Sequence, residues 1–223
     1  MDKKDIITLD GPAGAGKSTV AKELAKRLTY IYLDTGALYR AIAYKLINEK
    51  ISPDDAARFN AFCIKLRIKL HNVDGSMRVS IDDEDVTSKI RTEEIGNLAS
   101  TVSAMPIVRD LLYPVQREAG QEGGIVAEGR DMGTVIFPHA KFKFFLDASV
   151  DERVRRRYKE LKAAGNPINY EEVKRELISR DKQDRERQIA PLIPSDDAVI
   201  VDCTDMTVED VIDNIISLMR SKI

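Results

Sequence analysis

Residues 6–24 read IITLDGPAGAGKSTVAKEL. An apolar run ends in Asp10, a glycine-rich stretch follows, and Lys17-Ser18-Thr19 opens an amphipathic segment. Gly11-Pro12-Ala13-Gly14-Ala15-Gly16-Lys17-Ser18 matches GxxxxGK[ST] in full. A strand before that string and a helix after it are the context in which it cradles phosphates. Its glycines let the backbone close on an anion with N–H groups pointing inward. The helix N-terminus adds partial positive charge. Lys17 can reach β- and γ-phosphates, and Ser18 can ligate Mg²⁺.

Outward from this loop, short apolar runs alternate with helical patterns. Val20, Ala21, Leu24, Ala25 and Leu28 form a helical stripe. YIYLDTG (30–36) reads as a second strand and turn, and ALYRAIAYKLINEK (37–50) returns to helix. GGIVAE, KFKFFLDA and DAVIVDC read as three more buried-type strands, and TVEDVIDNIISLMRSKI closes the chain as an amphipathic helix. Strand–helix alternation predicts an α/β fold with a central parallel sheet covered on both faces. Residues 63–91 break that rhythm. Ile64, Leu66, Ile68 and Leu70 alternate with charged residues, Asp74-Gly75 turns, and Met77, Val79 and Ile81 alternate again. This predicts a small antiparallel insert whose hairpin begins near Cys63. Residues 151–190 form a second break, read as two helices parted at AAGNPIN. This stretch holds 12 Lys+Arg against 9 Asp+Glu, a local net of +3 in a chain of net charge −2.

The 223 residues, 43% hydrophobic and 32% charged, suit one globular domain with small inserts. The slightly acidic balance argues against a nucleic-acid partner. Cys63 and Cys203 form no CxxC pair, and His71 and His139 are isolated, so neither a zinc site nor a disulfide framework is expected. No signal-peptide pattern opens the chain, and no apolar run reaches the roughly 18 residues of a membrane span. A cytoplasmic protein is expected.

A phosphate cradle is common to GTPases, ATPases and small-molecule kinases. The Asn-Lys-x-Asp string of guanine readers is absent, and the chain is short for a mechanical ATPase, which favours a kinase with a small acceptor. Three further clusters suit the acceptor. In LDTGALYR (33–40), Thr35 and Gly36 start a helix and Arg40 suits a phosphate oxygen. In GGIVAEGRDMGT (123–134), Glu128 could hold the Mg²⁺ shell or its water. Arg130 offers a planar fork for phosphate, and Asp131 can accept from an exocyclic amine. In SRDKQDRERQ (179–188), Arg180, Asp184 and Arg187 fall four and three apart, on one helical face. Alone, this last string suits a solvated charged helix better; beside a phosphate cradle it suits a lid bringing positive charge to a migrating phosphoryl group. A kinase for UMP or a non-nucleotide metabolite, and a module that only senses ATP, remain rival readings of these residues.

GPAGAGKST, LDTGALYR, IRTEEIGNLAS, AEGRDMGTVIFP and SRDKQDRERQIAPL together resemble the bacterial cytidylate kinases, P-loop nucleoside monophosphate kinases, over about residues 5–220. The resemblance implies transfer of the ATP γ-phosphoryl group to CMP or dCMP with Mg²⁺ by a monomer. It implies that Gly11 to Thr19 bind ATP and that Thr35 lies near the acceptor. Arg40, Arg130 and Arg187 would hold the CMP phosphate. Ser100, Arg109 and Asp131 would read cytosine, and Arg180 and Asp184 would meet the sugar. Lys17, Arg130, Arg180 and Arg187 would be the catalytic cations. Ser18 and Glu128 would serve the metal. It further implies a core of residues 5–60, 96–150 and 191–223, an acceptor-side β insert at about 61–95, a helical lid at about 151–190, and a loop at Asp202-Cys203-Thr204 near adenine. Glu128 stands where many relatives carry Asp, which leaves direct or water-mediated contact with Mg²⁺ open.

Overall fold

A computed structural model describes residues 5–163, 165 and 168–221. In chain order it contains β1 (Ile6–Asp10), α1 (Lys17–Leu28), β2 (Ile31–Asp34), α2 (Gly36–Asn48), α3 (Ala56–Lys65), β3 (Ile68–Val73), β4 (Ser76–Ile81) and β5 (Glu84–Asp85). There follow α4 (Glu93–Val102), α5 (Pro106–Ala119), β6 (Ile125–Glu128), a π-helical turn (Met132–Ile136), β7 (Phe142–Asp147), α6 (Val150–Ala163), α7 (Tyr170–Glu186), β8 (Val199–Asp202) and α8 (Val208–Ser221).

The sheet order is β3-β4-β2-β6-β1-β7-β8, and the strands from β2 to β8 run parallel. Side chains alternate between the two faces. On one face Ile7, Leu9, Val126, Phe142 and Phe144 pack with Val20 and Leu24 of α1 and Ile212 and Ile215 of α8. On the other, Leu33, Ile125 and Ala127 pack with Met132, Ile136 and Phe137. Burial on both faces is why the central strands read as continuous apolar runs. The expected α/β three-layer fold is present.

Two local expectations need correction. The hairpin begins at Ile68, not near Cys63, because Phe59, Phe62, Cys63 and Leu66 form a helical stripe that buries α3 and its end. Ile64 consequently points outward, 79% exposed. The Asp74-Gly75 turn is as expected: both residues have positive φ, 52° and 78°, as a two-residue hairpin turn requires. The hairpin joins the main sheet: Tyr32 pairs with Ser76, so β4 extends the β2 edge. Finally, β8 is an edge strand rather than a buried one, with Ile200 62% exposed. The expected break between α6 and α7 falls partly on residues 164, 166 and 167, outside those described. Among the described residues no helix is long and apolar enough to cross a membrane.

Candidate active site

The loop between β1 and α1 is shaped by glycine. Gly11, Gly14 and Gly16 have φ of 144°, 76° and 91°. A Cβ on Gly11 would lie 2.0 Å from the Leu146 carbonyl oxygen, and one on Gly14 would lie 2.8 Å from that of Arg153. The loop is therefore pressed between the end of β7 and the start of α6, where only bare backbone fits. Lys17 is buried, and its ammonium donates to the Pro12 carbonyl at 2.7 Å. Burial, and then the neighbouring Arg130 guanidinium, pull its pKa down to about 7.

Glu128, at the carboxyl end of β6, meets this loop. One carboxylate oxygen accepts from the Ser18 hydroxyl at 2.9 Å and the other from the Tyr32 hydroxyl. Burial raises its pKa, and Asp34 adds to the effect. A hydroxyl and a carboxylate meeting at a helix N-terminus are hard oxygen donors, the set that suits a divalent cation sharing its shell with phosphate and water. Ser18 and Glu128 thus fit Mg²⁺ by chemistry and placement. No cluster of three or more His, Cys, Asp or Glu side chains suited to a metal occurs among the described residues.

Next to Glu128 the chain turns at Gly129-Arg130-Asp131. Arg130 donates from Nε to Asp184 at 2.8 Å, joining this turn to α7. Asp131 and Arg109 form a buried pair at 2.7 Å, and the Arg109 side chain is 1% exposed. Arg109 also donates to the Ser103 carbonyl at 2.6 Å and the Tyr113 hydroxyl at 3.2 Å, with the Tyr39 and Tyr113 rings near its guanidinium. Ser100 on α4 donates to Asp184 at 3.4 Å. Thr35 precedes α2 without capping it; its hydroxyl donates to the Glu128 carbonyl at 2.7 Å, and Asp34 caps instead by accepting from Ala37 N–H at 3.0 Å. Arg40 donates to that same Asp34 at 2.7 Å.

Arg180, Asp184 and Arg187 converge, but not as three positions on one helix. α7 ends at Glu186, and Arg187 is extended (φ −62°, ψ 141°). Its guanidinium reaches Ser103 at 3.2 Å and lies 3.9 Å from both Asp131 and Asp184. Leaving the helix turns the side chain toward the Asp131 pair, which helical spacing alone would not do. Arg180 Nε is buried without a hydrogen-bond partner. Burial and the nearby Arg130 lower its pKa to about 10, and burial with Arg109 lowers that of Arg187. Crowded cations that disfavour one another's charge are relieved by an incoming polyanion.

Sequence patterns alone leave several contributors unmarked. Arg153 of α6, 3% exposed, donates to Asp181 of α7 and to the Ala13 carbonyl at 3.0 Å, while Asp181 accepts from Ala13 N–H at 3.4 Å. This pair clamps the α6–α7 hairpin onto the phosphate loop. Arg156 donates to the Cys203 carbonyl at 2.6 Å, which brings α6 to the loop after β8. Arg91 donates to Asp34 at 3.1 Å. The one available signal was the recurrence of arginine in DERVRRR and of aspartate in SRDKQD; nothing in their spacing pairs them. Cys63 and Cys203 are buried, with thiol pKa values pushed up to about 11 by burial, as befits structural residues.

The family model described as Cytidylate kinase matches residues 7–221. The chain belongs to the cytidylate kinase family. It is 47% identical to a cytidylate kinase of Geobacter sulfurreducens, over 97% of this chain and 93% of that protein. It is 44% identical to one of Exiguobacterium sp., over 99% of this chain and 98% of that protein. Among solved structures, an uncharacterized protein from Eubacterium ventriosum aligns with 98% of this chain and 99% of that one at a TM-score of 0.53 and 15% identity, a likeness of fold alone. Membership of the cytidylate kinase family covers both unusual parts of the chain, the β3–β4 hairpin and the α6–α7 hairpin.

Proposed function

We infer that the chain transfers the γ-phosphoryl group of ATP to CMP or dCMP, giving ADP with CDP or dCDP. The observation that carries this is the family match over residues 7–221, in which the GRD turn lies against the phosphate loop through Ser18 and Glu128.

In this reading Gly11 to Thr19 hold the ATP phosphates with backbone N–H groups and Lys17. Ser18 and Glu128 hold Mg²⁺, which when bound offsets the charge of the phosphates. Arg40, Arg130 and Arg187 bind the acceptor phosphate. Thr35 shapes its floor, and Arg180 and Asp184 meet the sugar. Asp131, oriented by Arg109, accepts from the cytosine amine, where uracil presents a carbonyl, and Arg109 and Ser100 complete the base-reading set. An acceptor phosphate oxygen attacks the γ-phosphorus in line; that O–P bond forms as the bond to the β–γ bridging oxygen breaks. Lys17, Arg130, Arg180 and Arg187 spread the charge of the transition state. Residues of about 151–190 act as a lid that excludes water, a competing acceptor. The enzyme works as a monomer in the cytoplasm.

The test is an assay of ADP release with ATP, Mg²⁺ and CMP, dCMP, UMP, AMP or GMP. Strong turnover confined to CMP and dCMP is expected. Equal turnover of UMP would remove Asp131 from base reading, and no turnover with ATP still bound would reject the acceptor class.

A further inference from the structure

Asp10 ends β1 one residue before the phosphate loop, yet its carboxylate serves the other side of the site. Oδ1 accepts from Met132 N–H at 2.9 Å and Oδ2 from Gly133 N–H at 2.8 Å. These are the leading N–H groups of the π-helical turn. The turn's own bonds begin later, with Val135 and Ile136 donating to the Asp131 carbonyl and Phe137 to that of Met132. Leading N–H groups of any helical turn lack acceptors within it and need a cap. Asp131 stands in the capping place but makes no side-chain cap; its carboxylate is drawn to Arg109 at 2.7 Å. Asp10, 5% exposed, supplies the missing cap from more than 120 residues away. Burial pushes its pKa up to about 6, against the opposing pull of the two N–H groups, so the carboxylate is held there at a cost in solvation.

We propose that Asp10 is a positioning residue for the acceptor base: it caps the turn in place of Asp131, and so leaves the Asp131 carboxylate free to pair with Arg109 and face cytosine. The assignment rests on the CMP-kinase reading above. It divides the work between two aspartates, one at the end of β1 and one in the GRD turn. A turn of this rare type commonly marks a functional site, and here it follows Arg130 directly and has Asp131 at its start.

The experiment is Asp10→Asn, nearly isosteric but with an amide NH₂ facing a donor. The CMP-over-UMP ratio of kcat/KM should fall about tenfold, which corresponds to roughly 1.4 kcal/mol, and the KM for CMP should rise. Affinity for an ATP analogue without acceptor should stay within about twofold. In the double variant Asp10→Asn/Asp131→Asn the ratio should fall no further than in Asp131→Asn alone, because the two act as one unit. If the amide variant does not fold, Asp10→Ser keeps a hydroxyl acceptor and carries the same expectations. An unshifted CMP-over-UMP ratio, an additive double variant, or a loss of analogue affinity equal to the loss for CMP would each overturn the assignment. Wild-type protein without CMP preference would instead overturn the substrate reading, and is seen before any variant is made.

Discussion

The phosphate loop is one unbroken run, Gly11 to Thr19, whereas the proposed acceptor pocket would draw Arg40 from α2, Arg109 from α5, Asp131 from the turn after β6, and Arg180, Asp184 and Arg187 from α7 and its end. The first is made of backbone, with glycine as its main requirement. The second is made of buried and half-buried charges that hold one another: Arg109 with Asp131, Arg130 with Asp184, Arg40 with Asp34. A backbone site fails when a side chain intrudes. A charge network fails when one member is removed and its partner is left buried alone.

Gly11→Ala attacks the first design at its tightest point. The added methyl would sit 2.0 Å from the Leu146 carbonyl oxygen, and the protein should lose more than about 4 kcal/mol of stability or fail to fold. A melting temperature near wild type would show that the loop yields and that close packing is not what shapes it. Asp131→Ala attacks the second design. Arg109, 1% exposed at its side chain, loses its carboxylate, so about 3–5 kcal/mol of stability should go together with CMP-over-UMP preference. Denaturant unfolding and the nucleotide panel measure both; selectivity lost at full stability would mean that the pair is not the structural unit described.

Arg187→Ala should split the two regions functionally. Turnover should drop about 10²–10³-fold, as for loss of one preorganised charge contact, while ATP affinity holds. Near-normal turnover would leave Arg187 a packing residue. The smallest effect concerns the solvated ion pairs of α6. Arg155 foremost, then Arg156, hold the Glu152 pKa down, from 4.5 to about 2. A depressed carboxylate adds stability above pH 4.5 that is lost as pH falls toward 2. Glu152→Gln should therefore cost at most about 1 kcal/mol at pH 7 and flatten that acid slope. A larger loss at neutral pH would place Glu152 with the buried network rather than the surface.

The same contrast decided what could be read in advance. GPAGAGKST is legible because its chemistry is local: the strand, the glycines, the lysine and the helix start are neighbours in sequence and in space. GRD is legible in part, since Arg130 and Asp131 declare phosphate and amine chemistry by residue type. Arg109 is not; within PIVRDLLYPVQREA it is one charge on an amphipathic helix until α5 packs it against Asp131. The string at 63–70 misleads because alternation and the end of a helical stripe coincide there; burial of Phe59, Phe62 and Cys63 keeps 63–65 in α3, and the strand starts only at Ile68. Arg153 and Asp181 each read as ordinary helix charges, and only the crossing of α6 and α7 over Ala13 makes them a clamp.

Sequence by itself determined the fold class, the phosphate loop, and the family whose motifs span the chain, because hydrophobic period and loop chemistry act over a few residues. Tertiary structure alone decided which carboxylate holds which arginine, that Arg187 turns out of its helix, and that Asp10 caps a turn on the far side of the site. Those choices depend on who is buried beside whom: a charge taken from water must find its partner wherever the packed chain brings one.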